Sequence, residues 1–276
     1  MCRLVGWIAD RPVTTAEALG EDVLARLLEL GKVHRHGWGA AWHNDPGSPI
    51  QTRRSEVNAT TDPEFMDFAR RVEAQCCLLH LRHATPGMGM SIENSHPFIH
   101  GGFAFAHNGA IYPHDKLDAL LYPGSDAPRG TTDSERYFLS LVHDLPGDPL
   151  SGQVAAAASR VTNRMVQRGL SALSLNAMLL TGGVLHVLSN HAPGVEPEGF
   201  QLWPDTDQVP HPPYFQLAYR DRDGVGLAVS TGLLSMDEPD VSEVAAGNIL
   251  TLRPGRRPLE YSAIERPLLS MVNVED

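Results

Sequence analysis

Several short stretches of the chain carry side chains able to do chemistry. Cys2 is the second residue of Met1-Cys2-Arg3. A small second residue favours removal of the initiator methionine, and Cys2 would then carry a thiol and a free α-amine on one residue. With reference pKa values of about 8.5 and 7.7–8.0, the amine can take the thiol proton directly or through a water, with no histidine needed. Leu81-Arg82-His83-Ala84-Thr85 places an arginine at the end of an expected strand, where its planar donor fork suits a carboxylate. His107-Asn108-Gly109 follows an apolar strand. The Asn108 amide and the Gly109 N–H together could hold an oxyanion, and glycine lets substrate approach the backbone closely. Thr132-Asp133-Ser134-Glu135 puts a carboxylate where a helix begins, suited to an ammonium group. Singly, each stretch also has an ordinary reading. Cys2 is a small apolar residue of a first strand, Arg82 a surface arginine, Asn108-Gly109 a turn, and Thr132 with Glu135 a helix cap.

The elements that must position these groups can be read from spacing. Residues 2–8 read as a buried strand at the terminus, and Thr14 with Glu17 as a capping box. A helix is expected over Ala16–Leu30, ending at Gly31, from the helical spacing of Val23, Leu24, Leu27 and Leu28. Asp62 followed by Pro63 starts another helix, to about Gln75. His36–Trp42, Cys76–His83 and Gly102–Ala106 read as strands, with a Pro- and Gly-containing loop between the last two. A short helix is expected after His114. Thr132 and Glu135 form a second capping box that opens a helix to about Val142, and Ser151–Arg168 is a further helix. Strands follow at Leu173–Leu180, Val184–Ser189, Tyr214–Arg220, Gly226–Ser230 and Asn248–Leu252, with a proline-bearing surface excursion at Pro193–Pro213. Cys76-Cys77 should send one thiol into each layer flanking its strand. Strands, helices, then strands again, without regular β-α alternation, favour an α+β layered domain. No linker interrupts residues 1–276, which reads as one domain.

Singly ordinary, these pieces are distinctive in their order. A Cys at the N-terminus is followed by Arg82-His83-Ala84-Thr85, Asn94-Ser95-His96-Pro97-Phe98, His107-Asn108-Gly109 and Thr132-Asp133-Ser134-Glu135. This order resembles the class II glutamine amidotransferases, and most of all their stand-alone YafJ-like branch, related to the ergothioneine-pathway amidohydrolases. The match runs from Cys2 to about Tyr137. The resemblance implies a four-layer αββα N-terminal nucleophile hydrolase fold, two antiparallel sheets between helical layers. By the same resemblance, Cys2 attacks the γ-amide carbon of glutamine, and Asn108 with the Gly109 N–H holds the oxyanion. Arg82 would bind the substrate α-carboxylate and Asp133 its α-ammonium, assisted by Thr85, while His96 shapes the glutamine loop or serves structural hydrogen bonding. His36-Gly37-Trp38-Gly39 also resembles the family, as support for the Cys2 strand, with Trp38 in packing. Two features depart from the family pattern: Pro86 follows and restricts Thr85, and Ser230-Thr231-Gly232 stands where a Ser-Glu-Pro-like turn is usual.

Composition narrows the setting. A net charge of -11 disfavours an extended nucleic-acid footprint. At 42% hydrophobic and 20% charged residues the chain reads as globular. No stretch approaches the ~20 apolar residues of a membrane helix, and no secretory signal is visible. Three cysteines, Cys2, Cys76 and Cys77, make no disulfide framework, so a cytoplasmic location is expected. The close histidine pairs match no zinc pattern; no metal and no cofactor is expected. The expected partners are a small-molecule substrate, L-glutamine or a γ-glutamyl amide, and a separate ammonia-consuming synthase, with neither nucleic acid nor membrane. Three functions stay open: a glutamine amidohydrolase, a hydrolase of another γ-glutamyl or acyl amide, and a non-catalytic regulatory subunit.

Overall fold

The computed structural model describes residues 2–45, 47–84, 89–192, 194–197, 203, 213–255 and 260–265. The first sheet is built from β1 (Arg3–Thr14), β2 (Trp38–His43), β3 (Gln51–Ser55), β4 (Glu73–Leu81), β9 (Leu217–Arg222), β10 (Val225–Ser230) and β11 (Val241–Glu243). Its order is β11-β9-β10-β1-β4-β2-β3. The second contains β5 (Phe98–His100), β6 (Phe103–Tyr112), β7 (Ser171–Thr181), β8 (Val184–Ser189), β12 (Asn248–Leu252) and β13 (Glu260–Ala263), in the order β13-β12-β8-β7-β6-β5. Every pairing between these strands is antiparallel.

Three apolar layers follow from strand alternation. On β1, Val5, Trp7 and Ala9 join a core with α1 (Thr15–Leu19), α2 (Glu21–Gly31) and α3 (Pro63–Arg71). Leu4 and Ile8 point the other way and meet Met178, Leu185 and Leu250 between the sheets. The third core packs β6 and β7 on α4 (Asp133–Val142) and α5 (Ser151–Arg168). Helices, sheet, sheet and helices make the four-layer αββα arrangement. Cys76 lies in the inter-sheet layer and Cys77 in the helix-facing one, as the alternation predicts. Burial pushes the Cys76 thiol up to about 12 and holds Cys77 well above the ordinary thiol range, so both are inert packing groups.

Two glycines let the layers close. A Cβ on Gly6 would meet Leu185 and Met178 of the opposite sheet, and one on Gly39 would overlap the His96 carbonyl oxygen. Gly39 thus lets the segment before β5 cross directly over β2.

The local signals held in part. Thr14 and Glu17 form a reciprocal capping box, Asp62 caps α3 with Pro63 in its first turn, and Gly169 ends α5 at φ 65°. Four expectations are corrected. The first helix breaks in two at Gly20, which adopts φ 80° and ψ 156°. The helix from Pro63 stops at Arg71, because Glu73–Leu81 is taken into β4. Glu135 does not complete a capping box; its carboxylate accepts the Arg129 and Gly130 N–H groups, while Thr132 alone caps α4. The strand expected to stop at Ala106 runs on to Tyr112 and takes in His107-Asn108-Gly109. Most of the Pro193–Pro213 excursion lies outside the described residues.

Candidate active site

Cys2 sits at the mouth of the inter-sheet layer, immediately before β1, and is 9% exposed. Its backbone nitrogen donates to Asn108 Oδ1 at 2.9 Å. That donor fixes the amide orientation, since only the oxygen can accept. Asn108 Nδ2 must therefore point the other way, and it is buried without a partner among the described residues. The Cys2 Sγ lies against the end of β4, 3.4 Å from the His83 N–H and 3.6 Å from the His83 carbonyl.

The sheet pairing explains why Asn108-Gly109 is not a turn. Asn108 stands opposite Asn176 and Gly109 opposite Leu175 on β7. A side chain at Gly109 would overlap the Ser174 carbonyl and the His107 ring, so glycine is required by packing as well as by access. His107 bridges Ser134 Oγ at 3.0 Å and the Ser174 carbonyl at 2.9 Å, tying α4 to the strand that carries Asn108.

Arg82 lies one residue past β4 and is pinned by two backbone bonds. Its N–H donates to the Gly37 carbonyl, and its own carbonyl accepts from the His36 N–H. The side chain is 4% exposed and donates to the Gly89 carbonyl at 2.7 Å. Burial lowers its pKa, and it makes no ion pair among the described residues. A buried guanidinium held on one carbonyl and, at 4.0 Å, on the weakly accepting Met90 sulfur has capacity for a carboxylate. Asn94 braces the same loop, donating to Gly89 and accepting from the Thr131 N–H.

Asp133 is the first residue of α4 and is 4% exposed. Its Oδ2 accepts from the Ile111 N–H at 2.9 Å, beyond Gly109 on the same strand, and Ser134 Oγ lies 3.4 Å from its Oδ1. The carboxylate is thus anchored to β6, while Thr132 caps the helix beside it.

Of the nearby histidines, His83 meets the sulfur through its backbone and His36 packs on the His83 ring. His36 Nδ1 accepts from the Ala84 N–H at 2.9 Å, and its ring meets that of His83 edge-on at 5.1 Å. Burial pushes His83 down to about 4 and lowers His36 as well, so both are neutral near pH 7. His96 packs on His80 at 4.2 Å and on Phe98, with neither ring nitrogen partnered among the described residues. Trp38 faces away, donating to Asp62 at 2.8 Å and packing on Phe65, which is the packing role expected of it. Thr85 lies outside the described residues.

The structure brings Cys2 and Asn108 into direct contact, places Arg82 next to His83 at the sulfur, and sets Asp133 of α4 against Ile111, further along the strand of Asn108 and Gly109. Two contributors were not anticipated. Asn94 sits in the Asn-Ser-His-Pro-Phe stretch, which marked it. Ser230 accepts from the Leu4 N–H at 2.9 Å, and only the β1–β10 pairing reveals it.

The family model for class-II glutamine amidotransferases matches residues 1–223. The gamma-glutamyl-hercynylcysteine sulfoxide hydrolase of Mycolicibacterium smegmatis is 29% identical over 141 residues, 49% of this chain. That match spans only 59% of the hydrolase's own length. The Escherichia coli glutamine amidotransferase-like protein YafJ is 25% identical over 209 residues, 70% of this chain and 78% of its own. Among solved structures, a class-II domain protein from Silicibacter pomeroyi superposes with a TM-score of 0.60 at 20% identity, covering 96% of this chain and all of that one. The phosphoribosylpyrophosphate amidotransferase of Bacillus subtilis gives 0.60 at 14% identity, with 97% of this chain on 50% of that one. The fold is that of the N-terminal nucleophile hydrolases, and the chain belongs to the class-II glutamine amidotransferases.

Proposed function

We propose that this chain hydrolyses the γ-amide of L-glutamine, or of a closely related γ-glutamyl compound, through a thioester on Cys2. The observation that carries the reading is the Cys2–Asn108 contact. One amide oxygen holds the Cys2 nitrogen, while the amide NH2 of the same side chain is left buried and unpartnered.

Once Met1 is removed, the Cys2 α-amine takes the thiol proton, and the sulfur attacks the γ-amide carbon. The carbonyl π electrons move to oxygen, where Asn108 Nδ2 and the Gly109 N–H stabilise the charge. Collapse breaks the C–N bond, and the α-ammonium returns its proton to the leaving nitrogen, which departs as ammonia. Water, deprotonated by the same amine, attacks the thioester; the sulfur leaves and regains a proton, and glutamate is released. Arg82 holds the substrate α-carboxylate and Asp133 its α-ammonium, a pairing of opposite charges at the two poles of a zwitterion. His83, at the sulfur through its backbone, and His36, packed on it, are both neutral and so do not compete for the substrate carboxylate.

Arg82 and Asp133 select the glutamyl head group but do not constrain the group on the γ-nitrogen. Similarity to the hercynylcysteine sulfoxide hydrolases favours a second reading, in which a larger γ-glutamyl amide is cleaved by the same steps. Ammonia protonates in water and loses its nucleophilicity, so productive use of it calls for a separate synthase as partner. Three free thiols fit a reducing compartment, and we place the chain in the cytoplasm. Among the described residues no helix is long and apolar enough to cross a membrane.

The test is glutamate and ammonia release from L-glutamine by protein whose Met1 removal is confirmed by intact mass. Turnover that disappears on alkylating Cys2 supports the reading. No release from glutamine alongside cleavage of γ-glutamyl amides selects the second reading, and no cleavage of either sinks both.

A further inference from the structure

The peptide carbonyl of Cys2 has no part in the chemistry above, yet it is held from two directions. Arg3 Nη1 lies 3.4 Å from it and the Tyr214 hydroxyl 3.3 Å. Arg3 is fully buried, at 0% exposure. Its guanidinium stacks 4.2 Å over the Tyr214 ring and 4.6 Å over the Trp203 ring. His34 Nδ1 sits 2.6 Å from the Leu30 carbonyl and so donates there. Its Nε2 lies 3.3 Å from the Tyr214 hydroxyl, whose single proton it shares with the Cys2 carbonyl. The Glu196 carboxylate accepts the Tyr214 N–H at 2.8 Å.

Burying a guanidinium is unfavourable unless its donors and its charge are met. Here an aromatic pair and a carbonyl meet it one residue from the nucleophile. Arg3 cannot serve the substrate directly. It lies on the face of β1 shared with Val5 and Trp7, opposite the face of Leu4. Its reach to the site is through the backbone. Chain ends fray unless tied down, and a nucleophile misplaced by about 1 Å can lose about 100-fold in rate. The three backbone groups that set Cys2 are its nitrogen on Asn108, its carbonyl on Arg3 and Tyr214, and the Leu4 N–H on Ser230.

We propose that Arg3 and Tyr214 are positioning residues that grip the Cys2 carbonyl and hold the nucleophile's backbone opposite Asn108. The inference rests on Cys2 being the nucleophile. It gives the C-terminal half of the chain, through Tyr214, a direct hold on the reacting residue.

The test uses Tyr214→Phe, which keeps the ring under the guanidinium and removes only the hydroxyl, and Arg3→Lys, which keeps the charge and removes the flat fork. Each is read by kcat and KM for glutamine and by amide hydrogen exchange over residues 2–9. The expected result is a kcat lower by about 10- to 100-fold, a KM within about twofold, and faster exchange confined to the β1 peptide. Unchanged kcat in both variants, a loss wholly in KM, or unaltered exchange overturns the clamp. If Tyr214→Phe does not fold, Arg3→Lys decides by the same readouts. If the wild-type protein releases no glutamate, the glutamine reading fails by itself, and exchange in the variants still judges the clamp.

Discussion

Asn108→Asp separates the two tasks assigned to one side chain. An aspartate in the same rotamer keeps an oxygen where Oδ1 accepts the Cys2 nitrogen at 2.9 Å. It replaces Nδ2, the buried unpartnered donor, with a second oxygen. The nucleophile should stay tethered while the oxyanion loses a donor. Loss of one such donor costs about 2.7–4 kcal/mol, or roughly 100- to 1000-fold in kcat. Arg82 and Asp133 are untouched, so KM should move by no more than a few-fold. Asn108 has 0% exposure, so the new carboxyl is also buried. That should cost about 1–3 kcal/mol of stability, and each kcal/mol lowers Tm by about 2–4 °C in a chain of this size. The assay is glutamate release at saturating and limiting glutamine, with Tm measured on the same preparations. A kcat within threefold of wild type, or a loss confined to KM, would refute the oxyanion assignment.

Other variants probe the remaining assignments. Cys2→Ala should abolish turnover while leaving Tm almost unchanged; residual hydrolysis would remove Cys2 from the mechanism. Asp133→Asn keeps an acceptor for the Ile111 N–H but loses the charge, so KM should rise about 10- to 100-fold, the worth of a charged hydrogen bond. A change in Tm alone would reduce Asp133 to a structural residue. Gly39→Ala should destabilise by about 1–3 kcal/mol, because its Cβ meets the His96 carbonyl; calorimetry showing no loss would contradict the crossing over β2. Burial alone would raise the Asp62 pKa, but hydrogen bonds from Ser55, Trp38 and the Glu64 N–H hold it below its ordinary value. A depressed carboxyl contributes stability above its unfolded pKa of about 3.9 and loses it as pH falls through the folded value. The Tm gap between wild type and Asp62→Asn should therefore shrink below about pH 4, and a constant gap from pH 6 to 3 would refute this.

Much of the site was legible in the sequence because its parts are local. A strand-end Arg82, a helix-opening Asp133 and a terminal Cys2 each occupy a position that short-range patterns define. Cys76 and Cys77 fell on opposite faces of β4 because a strand alternates whatever it packs against. Local signals failed where a distant strand outcompeted them. Asn-Gly is a turn pair by propensity, yet its pairing with Leu175 and Asn176 on β7, more than 60 residues later, draws it into a strand and aims the Asn108 amide at Cys2. The helix read through Gly20 breaks because glycine can adopt φ 80° at no steric cost, which leaves α1 and α2 as separate elements packed on the first sheet.

The sequence by itself determined which chemical groups are present and the order in which the chain meets them. It could not determine how the Cys2 peptide is held. Asn108, Arg3 and Tyr214 converge on that residue, and Ser230 on Leu4 two residues on, from β6, β1, the segment before β9, and β10. Sequence separations of up to 226 residues carry no periodic signal. Only sheet register, set by burying three apolar layers at once, decides which side chains arrive there.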